Sequence, residues 1–232
     1  MVYRFALLCL LLNVASHANG KGEPVTVVEL FTSQGCYSCP PADSFLGELK
    51  HQDNIIALSC HVTYWNYLGW RDTFSQPFCD QRQRRYQNYL KGNPGVYTPQ
   101  MVINGRYAGV GSRKSTINRL IQALPKVRPI KLSFDKANNL SIHLPQADLS
   151  QQQLLLLGTS GQHRLPIARG ENGGKQLTYH NPIEVIIPLG VWNGESSVLQ
   201  HMIKQSEIKE WVVIAQDRPL GEITAAGKLS SH

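Results

Sequence analysis

The N-terminal half of the chain alternates apolar runs of strand length with a stretch of helical period. Val25 to Phe31 is rich in Val, Leu and Phe with a single Glu among them, which predicts a buried strand. From residue 42 the apolar side chains recur with the spacing of one helix face, at Phe45, Leu46 and Leu49. Ile55 to Val62 predicts a second buried strand. The order strand, helix, strand is typical of an α/β domain.

A hairpin and a closing helix complete this half. Residues 100–103 and 106–110 are short strands on either side of Asn104-Gly105, a pair that strongly favours a two-residue hairpin turn. Residues 112–124 carry their apolar side chains on one face. They predict an amphipathic helix with Ser112 as its N-cap.

The pattern changes after Pro125 to short alternating segments that are separated by turns. These segments are Ile130–Phe134, Leu140–Leu144, Gln153–Leu157, Ile183–Ile187, Trp211–Ala215 and Ile223–Ala226. This half contains no cysteine, and its pattern predicts an antiparallel β-rich, sandwich-like domain. Pro125 and Pro129 bracket the boundary, so we expect an α/β domain at residues 24–126 and a β-rich domain at residues 128–232.

The first residues have the pattern of a secretory signal peptide, which we place at residues 1–18. Arg4 supplies a positive charge, Phe5 to Val14 is apolar, and small residues precede a cleavage site near Ala18. The apolar stretch is too short to remain in a bilayer, and no other segment is long enough to span one. We expect an exported protein without a permanent membrane anchor, either secreted or, in a Gram-negative source, periplasmic.

Composition and charge exclude several classes of protein. With 42% hydrophobic and 17% charged residues, the chain has enough apolar side chains for a core and is not intrinsically disordered. The net charge of +7 is modest, and the densest basic stretch, residues 82–85, is interpreted as a solvated helix face. No nucleic-acid partner is expected. The Gly-rich stretch from Arg169 to Gly174 lacks the context of a phosphate loop and is interpreted as a mobile β-turn loop.

Cleavage of the signal peptide removes Cys9 and leaves four cysteines, an even number that suits an oxidising compartment. Cys36 and Cys39 form a CxxC motif, so the natural pairing is Cys36–Cys39 and Cys60–Cys79. The second pair has three interpretations: a structural disulfide, a second redox relay, or unpaired and metal-bound thiols. The second half of a zinc pattern is missing, whereas soft thiolates suit Cu(I), and no metal site is assigned.

The CxxC motif stands between a predicted strand and a predicted helix. Free N–H groups at a helix N-terminus stabilise a thiolate, so the first cysteine of such a motif is acidified. Cys36 is therefore the predicted attacking nucleophile, and Cys39, in the first helical turn, is the predicted resolving thiol. Pro40 fits the start of the helix, where its missing N–H costs little.

Residues 64–97 form an insertion that is rich in aromatic residues and predicted to be helical between residues 76 and 90. Most of its aromatic side chains are expected to pack in a core. Trp65 and Trp70 follow the second strand closely, where they would form an apolar wall for an extended protein substrate. We assign substrate contacts to these two residues and to Tyr37, which lies between the cysteines.

Four segments of the chain resemble the signature of the DUF1223 family of exported proteins. They are Glu29–Asp43, Tyr64–Asp72, Thr98–Gly105 and Arg169–Asn172. The resemblance covers nearly the whole mature chain. It implies a thioredoxin-like N-terminal domain followed by a β-rich C-terminal domain, and it implies little about function, because the family is defined by sequence.

The CxxC motif and Thr98-Pro99 together also resemble thioredoxins and glutaredoxins. In those proteins the proline is cis and the neighbouring backbone pairs with the substrate, which implies a cis Pro99 beside Cys36 and a substrate contact at Thr98. Thioredoxins place a buried acid on the matching strand, one residue closer to the first cysteine. Glu29 is therefore either a partly buried proton acceptor for Cys39 or an outward-facing residue of the strand.

These features predict an exported thiol–disulfide oxidoreductase that acts on protein disulfides and has a separate, unidentified redox partner. Its predicted catalytic residues are Cys36, Cys39, Pro99 and Glu29. No organic cofactor is implied, and the motif does not indicate whether the protein is an oxidase, a reductase or an isomerase. The alternatives are a non-catalytic secreted binding module with structural disulfides and a Cu(I)-binding carrier.

Overall fold

The structure is a computed structural model that describes residues 23–90, 95–137, 139–204, 206–217 and 221–231. The predicted signal peptide lies outside these residues and stays a prediction. No helix within the described ranges is long and apolar enough to cross a membrane.

Helices are confined to the N-terminal half, and strands occur throughout the described chain. The helices are α1 (Pro40–Lys50), α2 (Pro77–Gln87) and α3 (Lys114–Ala123). The strands of the N-terminal half are β1 (Thr26–Thr32), β2 (Ile55–His61), β3 (Gln100–Ile103) and β4 (Tyr107–Val110). The strands that follow are β5 (Arg128–Pro129), β6 (Lys131–Phe134), β7 (Asn139–Leu144), β8 (Gln152–Thr159), β9 (Gln162–Pro166), β10 (Gln176–His180), β11 (Ile183–Trp192), β12 (Ser197–Met202), β13 (Glu210–Asp217) and β14 (Ile223–Ser230). The mixed α/β class is confirmed.

The start of α3 differs from the prediction. The helix begins at Lys114 with Arg113 as its N-cap, and Ser112 does not cap it. The reason is that the Arg113 N–H bonds to the carbonyl oxygen of Val110, so the chain at Ser112 still belongs to the turn after β4.

A four-stranded sheet carries α1 and α3 on one face. Its order is β2-β1-β3-β4, in which β1 and β2 are parallel and the other neighbours are antiparallel. A parallel pair needs a crossover connection, and α1 supplies it. The core on this face contains residues of β1, α1 and α3, among them Val28, Leu30, Phe45, Leu46 and Ile117. The CxxC motif therefore lies at the end of the sheet where β1 turns into α1.

A five-stranded sheet lies at the centre of the C-terminal half. Its order is β11-β8-β13-β14-β5, and all neighbours are antiparallel except β14 and β5. One face packs against the three-stranded sheet β12-β7-β6 over a core that includes Leu140, Ile142, Leu156, Trp211 and Val213. The alternating segments of the sequence thus form antiparallel, packed sheets, as they predict.

The other face of the five-stranded sheet packs against the four-stranded sheet. This shared core includes Val27, Phe31, Leu155, Leu157, Val212 and Ile214. Because β8 is covered on both faces, its apolar side chains are consecutive, which explains the run Leu154–Leu157. The two halves therefore share apolar packing across the predicted boundary at residues 125–129.

β9 and β10 form a separate two-stranded hairpin that packs on α1. A Cβ atom added at Gly47 of α1 would lie 2.4 Å from Nε2 of His180, so a larger residue at position 47 would require the His180 side chain to shift. The hairpin carries its connecting loop to the N-terminal end of α1.

The basic stretch at residues 82–85 is only partly solvated. Arg84 and Arg85 are exposed, but Arg82 and Gln83 are buried. The interpretation of the whole stretch as a solvated face is wrong for Arg82, because the side of α2 that carries it faces the buried carboxylate of Glu29.

Candidate functional site

The Cys36–Cys39 disulfide lies where β1 turns into α1. β1 ends at Thr32, and a tight turn brings the Cys36 N–H to the carbonyl oxygen of Ser33 at 3.1 Å. Cys39 is the N-cap of α1, and Pro40 follows at the first helical position. The structure confirms the predicted order of strand, turn, CxxC and helix, and it confirms this disulfide pairing.

Both cysteines of the motif are covered. Cys36 is 1% exposed and Cys39 is 0% exposed, whereas Tyr37 between them is 67% exposed. Tyr37 is therefore an exposed side chain of the motif, whereas both cysteines are buried.

Thr98 and Pro99 lie beside Cys36. The Thr98 hydroxyl donates to Cys36 Sγ at 3.3 Å and accepts a hydrogen bond from Nε1 of Trp65 at 2.8 Å. The Thr98–Pro99 peptide bond is cis, as the resemblance implies. Thr98 and Trp65 therefore both lie near Cys36. The indole N–H of Trp65 donates its hydrogen bond to the Thr98 hydroxyl.

Gln34, which the sequence does not single out, connects the cysteines to the insertion. Its N–H donates to Oδ2 of Asp72 at 2.8 Å, and its side-chain Nε2 donates to Oγ1 of Thr73 at 3.0 Å. The side-chain oxygen accepts a hydrogen bond from Nε1 of Trp70 at 2.8 Å. Trp70 therefore supports the segment before Cys36. The sequence does not predict this connecting role of Gln34, because a single polar residue in a turn belongs to no periodic pattern.

The Asp72 carboxylate also binds a buried histidine. Nδ1 of His61 lies 2.7 Å from Oδ2 of Asp72, and both side chains are fully buried. Burial is the largest single influence on His61 and acts to lower its pKa, but the charge and hydrogen bond of Asp72, together with the charges of Asp43 and Glu184, raise the pKa overall. Burial acts to raise the pKa of Asp72, but the charge of His61 and the hydrogen bonds lower it overall. This pair is therefore held in its charged form.

Asp43 is a buried carboxyl group one helical turn after Cys39. Its N–H donates to the Cys39 carbonyl oxygen at 3.1 Å, and its Oδ1 accepts a hydrogen bond from the Thr32 hydroxyl at 2.8 Å. Its Oδ2 and Nε2 of His61 have no hydrogen-bond partner among the described residues. Burial raises the pKa of Asp43 to about 7, against the opposing effects of His61 and Thr32.

A cavity of about 220 Å³ lies beside Asp43, between α1 and β10. Its polar lining comprises Asp43, Ser44, Gln176, Thr178 and His180. This volume is large enough for several water molecules. Asp43 therefore borders a polar cavity.

Glu29 is buried, but on the opposite face of the sheet from α1. β1 alternates its side chains between the two faces, and Glu29 points toward the five-stranded sheet. Its carboxylate accepts hydrogen bonds from Arg82 at 2.6 and 3.0 Å, and from the Tyr86 hydroxyl. The assignment of Glu29 as a proton acceptor for Cys39 is therefore corrected, and it does not face solvent either.

The second disulfide, Cys60–Cys79, joins β2 to α2. Both residues are fully buried in the core shared by the two halves, which favours the structural interpretation. Within the described ranges, no group of three or more His, Cys, Asp and Glu residues is arranged to hold a metal ion.

The Gly-rich loop between β9 and β10 packs against the CxxC motif. Nδ2 of Asn172 donates to the carbonyl oxygens of Gln34 and Cys36, both at 2.9 Å, and Asn172 is fully buried. Residues 171–174 form a turn, as predicted, but the interpretation of the loop as mobile is wrong, because the Asn172 side chain binds main-chain oxygens more than 130 positions away in the sequence. The loop belongs to the site.

Two solved structures are similar to this chain. Protein AGR_C_4864 from Agrobacterium tumefaciens, determined by the Northeast Structural Genomics Consortium, is 28% identical with a TM-score of 0.80, over 91% of this chain and 96% of that chain. HBP35 of Porphyromonas gingivalis is 15% identical with a TM-score of 0.60, over 89% of this chain and 75% of that chain, which shows a similar fold alone. The comparison with curated proteins gave no match.

A family profile matches residues 27–216, a range that contains every residue of the site described above. The match covers most of the chain and agrees with the segments from which the resemblance was inferred. The chain belongs to the family described as "Protein of unknown function (DUF1223)".

Proposed function

We propose that this protein is an exported thiol–disulfide oxidoreductase whose Cys36–Cys39 pair exchanges with protein disulfides. The observation that carries the proposal is the position of the pair at the N-terminal end of α1, with the Thr98 hydroxyl on Cys36 Sγ. Helix N-termini and hydrogen-bond donors stabilise a thiolate, which is both the attacking and the leaving form of a cysteine.

The topology around the pair supports a thioredoxin-like assignment for the N-terminal half. β1, α1 and β2 form a parallel unit, and the antiparallel β3 and β4 precede α3 on the same face of the sheet as α1. The Thr98–Pro99 bond immediately precedes β3 and lies beside the first cysteine.

Exchange with the oxidised protein begins when a partner thiolate attacks Cys36 Sγ. A bond forms between the partner sulfur and Cys36, the Cys36–Cys39 bond breaks, and Cys39 leaves as a thiolate that takes up a proton. A second partner thiolate then attacks the mixed disulfide and releases Cys36. The partner is oxidised and the Cys36–Cys39 pair is reduced by two electrons, and the same steps in reverse reduce a partner disulfide.

Asp43 is the group to which we assign proton exchange with Cys39, in place of Glu29. It lies one helical turn after this cysteine and borders the polar cavity. Its pKa of about 7 means that both protonation states are accessible near neutral pH, as a general acid–base requires.

The burial of Cys36 and Cys39 favours a second candidate, a secreted binding module in which both disulfides are structural. The reduction potential of the Cys36–Cys39 pair separates the two. We expect a value between about −120 and −270 mV, the range of known thiol–disulfide catalysts, when the mature chain is equilibrated in glutathione buffers. A value below about −300 mV is typical of structural disulfides and would contradict the proposal.

Single-cysteine variants provide the matched control. The Cys39→Ser variant lacks the resolving thiol and should accumulate a mixed disulfide with an oxidised protein substrate, whereas Cys36→Ser should not. Non-reducing electrophoresis detects this species. Equal behaviour of the two variants would argue against Cys36 as the nucleophile.

A further inference from the structure

Three side chains of the loop between β9 and β10 contact the segment that carries Cys36. We call Glu171, Asn172 and Lys175 the clamp, and residues 34–39 the cysteine loop. Asn172 binds this loop through the two main-chain oxygens described above. Oε2 of Glu171 accepts a hydrogen bond from the Tyr37 N–H at 3.2 Å. Nζ of Lys175 lies 4.7 Å from the centre of the Tyr37 ring, within the range of a cation–π contact.

The clamp is itself held in place. Nζ of Lys175 donates to Oδ1 of Asn172 at 2.8 Å, which orients the amide so that its N–H groups point to the cysteine loop. Gly170 has a positive φ of 75°, and a Cβ atom there would lie only 3.1 Å from Cβ of Trp70. Glycine is therefore suited to the point where the loop crosses the insertion.

The clamp contacts main-chain atoms on both sides of a sulfur that a partner must reach. Asn172 is fully buried and Cys36 is 1% exposed, although Cys36 lies in a turn next to the exposed Tyr37. Clamp contacts fix the backbone before Cys36 and after it, so the turn cannot rotate outward while they persist.

We propose that Glu171, Asn172 and Lys175 are positioning residues that hold the cysteine loop closed and so limit the rate at which a partner thiol reaches Cys36 Sγ. The biological role of this limit on thiol access rests on the proposed function, whereas the expected change in the reduction rate of Cys36–Cys39 does not depend on it. Opening the clamp breaks contacts to the loop and leaves β1 and α1 intact. The C-terminal half thereby contributes residues to the thiol site.

The test measures the rate of disulfide reduction in the mature chain. The Asn172→Ala variant and the unmodified protein are treated with excess dithiothreitol, which is oxidised to its cyclic disulfide as the protein disulfide becomes two thiols. Free thiols are alkylated at intervals and quantified by peptide mass spectrometry, so that Cys36–Cys39 and Cys60–Cys79 are followed separately. The buried Cys60–Cys79 bond is the internal reference.

We expect Asn172→Ala to accelerate reduction of Cys36–Cys39 by about 5- to 30-fold, because two hydrogen bonds that oppose opening are lost. The rate at Cys60–Cys79 should stay within about twofold. Glu171→Ala removes one exposed contact and should give a smaller increase, and it provides a test that does not depend on the folding of the Asn172 variant. Asn193→Ala makes the same change at an exposed turn of the C-terminal half and should have no effect.

Unchanged rates at Cys36–Cys39 in both clamp variants would overturn the proposal, as would equal acceleration of both disulfides, which indicates general loosening of the fold. The two proposals fail separately. If the reduction potential of Cys36–Cys39 lies in the range of catalysts but its reduction rate is unchanged in the clamp variants, only the clamp proposal fails. If the potential is that of a structural disulfide but reduction is accelerated in the variants, the clamp proposal is supported and the oxidoreductase proposal is contradicted.

Discussion

Among single residues, two buried carboxyl groups, Glu29 of β1 and Asp43 of α1, differ in what surrounds them. Glu29 accepts two hydrogen bonds from the guanidinium group of Arg82, which offset the loss of water around its charge. Asp43 accepts a hydrogen bond from the Thr32 hydroxyl, and its other oxygen has no described partner. Desolvation therefore dominates at Asp43 and favours its neutral form near neutral pH.

The Asp43→Asn variant should be more stable than the unmodified oxidised protein, and the difference should grow with pH. Folded Asp43 keeps its proton up to about pH 7, whereas the unfolded chain releases it near its ordinary pKa of 3.8. Because the folded state binds more protons between these pH values, its stability falls as the pH rises through them. We expect a gain of roughly 2–4 kcal/mol at pH 8 and little at pH 4, measured by urea unfolding.

Asp53→Asn, at an exposed position after α1, is the matched control and should show no such pH-dependent gain. An Asp43→Asn variant whose stability relative to the unmodified protein is the same at pH 4 and pH 8 would refute the raised pKa.

Sequence alone could not separate these two carboxyl groups. Glu29 stands out because it interrupts an apolar run, whereas Asp43 has the appearance of an ordinary acidic residue in the first turn of a helix. Strand alternation shows that Glu29 lies on a different face from Val28 and Leu30, but not which face α1 covers. That choice depends on packing between elements that are distant in sequence.

At the level of single elements, local sequence patterns predict helices and strands better than they predict the loops that connect them. β1, α1, β2 and the β3–β4 hairpin follow from periodicity and from the Asn104-Gly105 turn, because these signals act within a few residues. The loop at residues 169–174 has no such signal. Its position is set by Asn172, whose partners Gln34 and Cys36 are remote in sequence.

The Cys60–Cys79 disulfide ties β2 to α2 and closes a loop of 19 residue positions. Replacing both cysteines by alanine should lower the free energy of unfolding by about 3 kcal/mol, because the unfolded chain regains the freedom of this loop. Urea unfolding measures the loss. Exchange at Cys36–Cys39 should persist in the folded variant, and its disappearance would instead indicate that the second pair is a redox relay.

Across the whole molecule, a polar cluster links the two sheets within their shared apolar core. Arg82 of α2 binds Glu29 of β1, the Tyr86 hydroxyl at 2.9 Å and the side-chain oxygen of Gln216 in β13 at 3.2 Å. Burial acts to lower the pKa of Arg82, but attraction to Glu29 and Tyr86 and the hydrogen bonds to both together raise it, so the positive charge is retained.

Arg82→Met should lower the free energy of unfolding by about 3–5 kcal/mol, because it leaves the Glu29 carboxylate buried without a counter-charge. Arg84→Met, on the exposed side of the same helix, is the control and should change it by less than about 0.5 kcal/mol. Chemical unfolding of both variants gives the comparison. A double variant, Glu29→Leu with Arg82→Met, should recover part of the loss, and equal effects of the two single arginine substitutions would contradict the structural role of this cluster.

Glu171 and Asn172 of the clamp bind the cysteine loop through main-chain atoms, which nearly every amino acid provides, whereas Lys175 contacts the Tyr37 ring. These two residues bind the carbonyl oxygens of Gln34 and Cys36 and the N–H of Tyr37. Evolution can therefore vary the two residues between the cysteines without disturbing these hydrogen bonds, apart from proline at position 37, which has no N–H. A residue inserted or deleted between Gln34 and Tyr37 would displace these atoms relative to one another. The hydrogen bonds thus tolerate different side chains between the two cysteines while they fix the spacing from residue 34 to residue 37.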